Sequence, residues 1–156
     1  MFKALLLSIF VLLAVSGCSS FSHRAKSPRY SADIAESLKY PYPEEGLPVK
    51  TYTISKKELR AKLDLSPAIN RIRVIKLYGG RDFSTPRYRL LDVKKESVYY
   101  FLGIRNRDIL LSADGFIINS GYLFPRFVSL LPGERKAKIR IIRRGKEMVL
   151  RYNLVN

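Results

Sequence analysis

SVYYFLGIRNRDILLSADG, residues 97–115, packs four changes of direction into nineteen residues. Ser97 is a good helix N-cap, because its hydroxyl can accept from a backbone N–H that the first helical turn leaves unpaired. Val98 to Leu102 then reads as one short helix. Gly103 ends it in the left-handed conformation that glycine adopts without steric cost. Ile104 turns inward, Asn106-Arg107 forms a polar turn, and Ile109 to Ser112 is a strand. Asp114-Gly115 is a hairpin-type turn. The polar residues stand where the backbone must bend; the apolar ones are core.

Upstream, Thr51 to Ile54 reads as a short strand, followed by the capping box Ser55-Lys56-Lys57-Glu58. Ile54 before the cap and Leu59 after it have the spacing of a hydrophobic staple. Leu59 and Leu63, four apart, give this helix one apolar side, and it should stop near Asp64, ahead of Ser66-Pro67. Arg71 to Tyr78 is a β-branched strand ending on Gly79-Gly80, and Tyr88 to Val93 is the next. Downstream, Phe116 to Ile118 is a brief strand. Asn119 or Ser120 would cap a helix from about Tyr122 to Leu131, with Pro125 tolerated in its first turn and Pro132-Gly133 stopping it. Lys136 to Arg143 and Glu147 to Leu154 are strands around Arg144-Gly145-Lys146. In the first of them, Ala137, Ile139 and Ile141 alternate with Lys138 and Arg140, one face for a core and one for solvent.

The order Ser97, Leu102-Gly103-Ile104, Asn106, Asp108-Ile109-Leu110, Gly115 resembles bacterial PDZ domains. The upstream elements Ile54-Ser55-Lys56-Lys57-Glu58-Leu59, Arg71 to Leu77, Gly79-Gly80 and Tyr88-Arg89-Leu90 are similar to the periplasmic end of the C component of type II secretion systems. The likeness covers about residues 51–155. It implies an α+β fold: a small PDZ-like, partly open β-barrel or sandwich with two short helices, preceded by an N-terminal helix. Three positions depart from the family. Arg107 stands where Gly usually precedes Asp, Asp114 replaces the Asn of Asn-Gly, and Pro86-Arg87 occupies the place where Gly commonly precedes an aromatic residue. The secretion component's transmembrane helix and its further homology region have no counterpart in these residues. A lipid-anchored relative of the PDZ segment is therefore expected.

The N-terminus supports anchoring. Lys3 is followed by the apolar run Ala4 to Val15, too short to span a bilayer comfortably, which takes about 20 residues, and shaped like a secretory signal. Val15-Ser16-Gly17-Cys18 resembles the lipobox of bacterial lipoproteins, in which the cysteine is acylated, with palmitate among the expected chains. Ordinary cleavage nearby and an uncleaved anchor are the alternatives. Cys18 is the sole cysteine, so no intramolecular disulfide forms and a lipid explains the thiol's position. Ser19, rather than Asp, favours the outer over the inner membrane of a Gram-negative envelope, with the domain facing the periplasm. The expected division is a signal peptide over 1–17, a flexible tether over 18–50 punctuated by Pro28, Pro41, Pro43 and Pro48, and the domain over 51–156.

With 29 Lys and Arg against 13 Asp and Glu, the chain carries a formal charge of +16. Anionic partners follow, whether head groups or acidic proteins; export and the lack of any nucleic-acid motif argue against nucleic acid. No catalytic, metal or cofactor constellation is legible. His23, the sole histidine, lies in the tether with Cys18, and Glu44-Glu45 has nothing to fix its geometry.

In the family, a groove between the second strand and the second helix takes an extended peptide as an added strand. Mapped here, it implies Arg87, Tyr88, Arg89, Leu90 and Leu91 on the strand and Leu123, Phe124, Phe127 and Val128 on the helix, with Arg87 and Arg89 attracting a carboxylate. Those four helix residues span more than one stripe, so some belong to the core. The expected function is non-enzymatic: a lipid-anchored module engaging an envelope, exported or secretion-machinery protein. Two alternatives stand beside it. One is an electrostatic spacer on the envelope surface using Lys136, Lys138, Arg140, Arg143, Arg144 and Lys146; the other is a regulator of an envelope protease or secretion machine acting in trans.

Overall fold

The computed structural model describes residues 39–78 and 86–156. The signal peptide, Cys18, Ser19, His23 and the turn at Gly79-Gly80 lie outside them. The chain runs β1 (Val49–Ser55), α1 (Lys56–Leu63), β2 (Arg73–Leu77), β3 (Arg87–Leu91), α2 (Val98–Phe101), β4 (Ile109–Ala113) and β5 (Phe116–Ile117). It continues through α3 (Leu123–Leu130), a 3-10 turn (Leu131–Gly133), β6 (Lys136–Arg143) and β7 (Lys146–Val155).

All strands among the described residues belong to one seven-stranded mixed sheet in the order β1-β7-β6-β4-β3-β2, with β5 hanging on β4. The sheet is open: β1 and β2 end it and do not pair with each other. Only β1–β7 is parallel, with Val49 opposite Val149 and Ser55 opposite Val155. This strand extends past the Thr51–Ile54 segment expected from sequence, because its partner is the far end of the chain and no local pattern reports such a pairing.

Several local expectations hold at atomic level. Ser55 accepts from the Glu58 N–H and caps α1, and Ile54 and Leu59 are both buried in the core. Ser97 accepts from the Tyr100 N–H, and Gly103 follows with φ +81°. The expected cap of α3 differs: Tyr122 stands at the N-cap with no side-chain bond, and neither Asn119 nor Ser120 fills that role. Packing of its fully buried Phe124 and Val128 therefore anchors this helix. The core unites these residues with Leu90, Leu102, Ile104, Leu110, Ile139, Ile141, Leu150 and Tyr152.

Residues 39–50 depart from the expected tether. Lys39 bridges to Phe116, the Tyr40 N–H donates to the Gly115 carbonyl at 2.8 Å, and the Val149 N–H donates to the Pro48 carbonyl at 2.9 Å. Proline spacing marks this segment as non-helical, yet these two non-local backbone bonds dock it across β6.

Candidate functional site

The sheet order decides where a peptide can be received. β3 pairs with β2 along its whole length, Arg73 opposite Leu91 and Leu77 opposite Arg87. On its other side it pairs with β4 through Tyr88–Leu110 and Arg89–Ile109, and Leu90 exchanges both backbone bonds with the 107–108 turn at 2.8 Å. No backbone group of β3 is left for an incoming strand. Arg87 to Leu91 therefore cannot take an added strand, and this corrects the mapping made from sequence. Tyr88 and Leu90 are core residues, and the Tyr88 hydroxyl donates to the Asn119 carbonyl at 2.6 Å. The swap has a simple cause. A hairpin of two strands gives no local sign of which member is covered by the rest of the sheet.

Among the described residues β1 and β2 are the two end strands, and β2 is the one next to β3. A Cβ placed on Gly121 would lie 3.4 Å from Cγ1 of Val74, so the entrance to α3 closes on this edge strand. Val74, Ile72, Leu123 and Phe127 are half-buried against the core, whereas Ile75, Tyr78 and Tyr122 are exposed by 39%, 87% and 67%. Three large apolar side chains thus stand exposed around a strand edge that is unpaired among the described residues. On the helix, Phe124 and Val128 point into the core, leaving Leu123 and Phe127 as the half-exposed members of the expected four. Sequence reasoning missed Ile75, Tyr78 and Tyr122; the β-branched run around Ile75 was the only available signal.

The six-residue basic patch also divides. Arg140, 4% exposed, pairs with Glu147 and donates to the Tyr42 carbonyl at 2.6 Å. Lys138 pairs with Glu44 at 2.8 Å. Arg143 donates to both oxygens of Asp108 at 2.8 and 2.7 Å, and this bond holds its pKa above the usual arginine value, outweighing partial burial. Only Lys136, Arg144 and Lys146 remain as exposed cations of that set.

Among the described residues no group of three or more His, Cys, Asp or Glu is placed to hold a metal. No helix among them is long and apolar enough to cross a membrane.

Helix, left-handed glycine, strand, hairpin turn, helix and final hairpin follow one another in the order of a PDZ domain. The architecture is PDZ-like. Similar solved structures include the PDZ domain of EpsC from Vibrio cholerae over its residues 219–305, at 9% identity and TM-score 0.35, covering 55% of this chain and 95% of that one. A longer span of the same domain, residues 204–305, matches at 11% identity and TM-score 0.39, covering 62% and 91%. The PDZ domain of the pullulanase C protein of the type II secretion system from Klebsiella pneumoniae, solved with a fatty acid, matches at 14% identity and TM-score 0.35, covering 62% and 99%. No family model and no curated protein matches the sequence.

Proposed function

We propose that this chain is a non-enzymatic, lipid-anchored binding module that holds a PDZ-like domain in the periplasm and receives an extended peptide as an added strand on β2. The observation that carries it is the combination of an edge unpaired among the described residues with Ile75, Tyr78 and Tyr122 exposed beside it. Edge strands are commonly blunted by charge, and this one carries exposed Arg73 and Lys76 beside Val74, Ile75 and Leu77. Its backbone still offers main-chain bonds for affinity, and its apolar side chains offer contacts for choice. Acylation at Cys18 supplies the anchor in this reading, and an envelope or secretion-machinery protein supplies the peptide.

The test uses the detergent-solubilised full chain, screened against an immobilised peptide array, beside Ile75→Lys and Tyr122→Lys variants. Peptides bound by the native chain should be lost by both variants and should perturb the backbone amides of residues 73–77. Perturbation confined to other elements, or identical binding by all three proteins, would refute the β2 edge. Mass spectrometry of the mature N-terminus tests the anchor, with an acylated Cys18 as the expected first residue.

A further inference from the structure

A second feature stands apart from the β2 edge and does not depend on the peptide reading. A cavity of about 1210 Å³ opens between the turn that follows β3, the turn before β4 and the tip of the β6–β7 hairpin. Six cations line it, Arg89, Lys95, Arg105, Arg107, Arg143 and Arg144, against a single carboxylate, Asp108. That carboxylate is already spent. It is 1% exposed and accepts from Nε and Nη2 of Arg143 and from the backbone N–H of Arg105 at 2.8 Å.

The floor is held rigidly. Nη2 of Arg143 also donates to the Gly103 carbonyl at 2.7 Å, leaving Nη1 free to donate. Nη1 of Arg105 donates to the carbonyls of Tyr100 and Ile104 at 2.9 and 2.8 Å, and its guanidinium lies 3.7 Å over the Tyr100 ring. A guanidinium has five N–H donors, so Arg105 keeps Nε and Nη2 for a ligand. Both floor arginines are thus oriented before anything binds, which lowers the entropy lost on binding.

The rim is unpaired. Among the described residues, no hydrogen bond, ion pair or ring contact engages the side chains of Arg89, Lys95, Arg107 or Arg144. Two of them sit at a backbone cost. Arg107 has φ +71° and Arg144 has φ +52°, a region that disfavours most L side chains by about 1–2 kcal/mol. Glycine or asparagine would make either turn more easily. Two turns remote in sequence each carry an arginine where the backbone favours another residue, and both arginines reach the same concavity.

The rest of the lining narrows the ligand. Arg89 and Ile109 already pair with each other in the sheet, so an extended peptide finds no ladder to join here. What the cavity offers is guanidinium forks, whose geometry matches phosphate oxygens bidentately. Val93, Tyr100, Ile109 and Ile142 form an apolar wall beside them. We propose that this cavity binds a phosphate ester, its phosphate on the floor of Arg105 and Arg143 with Arg107 and Arg144 closing from the two turns, and its organic stem against that wall. A phospholipid head group and a soluble phosphate ester share this chemistry.

The test is calorimetric titration of the full chain, reconstituted in neutral phosphatidylcholine vesicles, with sn-glycerol 3-phosphate. The variant Arg107→Gly/Arg144→Asn should lose at least about tenfold in affinity, the weight of one charge-assisted bond. It should unfold no earlier than the native chain, since both replacements suit a positive φ. The control Lys57→Gln/Lys136→Gln removes the same charge elsewhere and should change affinity less than about twofold. Repeating the titration in vesicles that include phosphatidic acid separates the sources. Weakened binding there, absent from the cavity variant, assigns the cavity to head groups; unchanged binding assigns it to soluble esters. Failure of the native chain to bind, or equal losses in variant and control, would overturn the proposal. So would cavity-dependent binding of an oligoglutamate peptide in place of the ester.

Discussion

Arg140 and Arg143 leave the same strand three residues apart and end in opposite electrical situations. Arg140 is enclosed, with Glu147 on its guanidinium, the Tyr42 carbonyl on Nη1 and the Tyr40 ring 4.7 Å away. Arg143 also has a carboxylate partner, but it forms the floor of a cavity whose rim cations have none. A basic composition is therefore not a basic surface. Where residues 39–48 fold over β6, positive charge is neutralised and buried; where turns surround a concavity, it accumulates.

The contrast is broken most directly at Glu147. Glu147→Ala strands a buried guanidinium, and unfolding by denaturant should show a loss of about 3–5 kcal/mol, the usual effect of removing one partner of a buried pair. The double change Arg140→Met/Glu147→Leu should recover most of it, because no charge is then left enclosed. A loss below about 1 kcal/mol for the single variant, the level of an exposed pair, would show that water reaches Arg140.

Asp108→Asn is the matching experiment on the other arginine. It weakens charge-assisted bonds to Arg143, so a loss of about 1.5–3 kcal/mol is expected. Because Arg143 faces the cavity, inorganic phosphate should restore part of that loss, through binding to the folded state alone. The same anion should leave Glu147→Ala unchanged. Equal rescue of both variants would erase the distinction between them.

The smallest effects lie beneath the cavity floor. The Tyr52 hydroxyl is buried and has no hydrogen-bond partner among the described residues, so Tyr52→Phe should change stability by less than about 1 kcal/mol and tend to raise it. Its neighbour Tyr152 donates to the Leu102 carbonyl at 2.8 Å, and burial pushes its pKa well above 10.0, with Tyr52 adding to the rise. Folded Tyr152 keeps its proton at pH values where the unfolded chain has released it. Its contribution is therefore complete below pH 10 and lost as pH rises further. Phenolate absorbance of the folded chain should lag that of the unfolded chain above pH 10, and the lag should shrink in Tyr152→Phe.

Much of the fold was legible because its signals are local. Ser97 caps within three residues, Gly103 ends its helix by its own φ of +81°, and Asp114-Gly115 and Arg144-Gly145 adopt the positive φ pairs of tight turns. Alternation along β6 also named its core face, since Ala137, Ile139 and Ile141 are buried. The site was less legible. Arg87 to Leu91 have the alternation of a half-buried strand whichever edge is open, so only the pairing with β4 excludes them. Asn70 had no signal at all. It donates to the Lys62 and Leu63 carbonyls and accepts from the Val98 N–H, clamping two helices that are far apart in sequence.

By themselves, the residues determined the order of helices, turns and strands and the surplus of positive charge, because caps, glycines and alternation act over a few positions along the chain. Tertiary structure alone decided which strands end the sheet and which arginines find a carboxylate. Both depend on segments up to ~100 residues apart meeting in space, as when Arg140 reaches the Tyr42 carbonyl, and no short-range pattern encodes such a meeting.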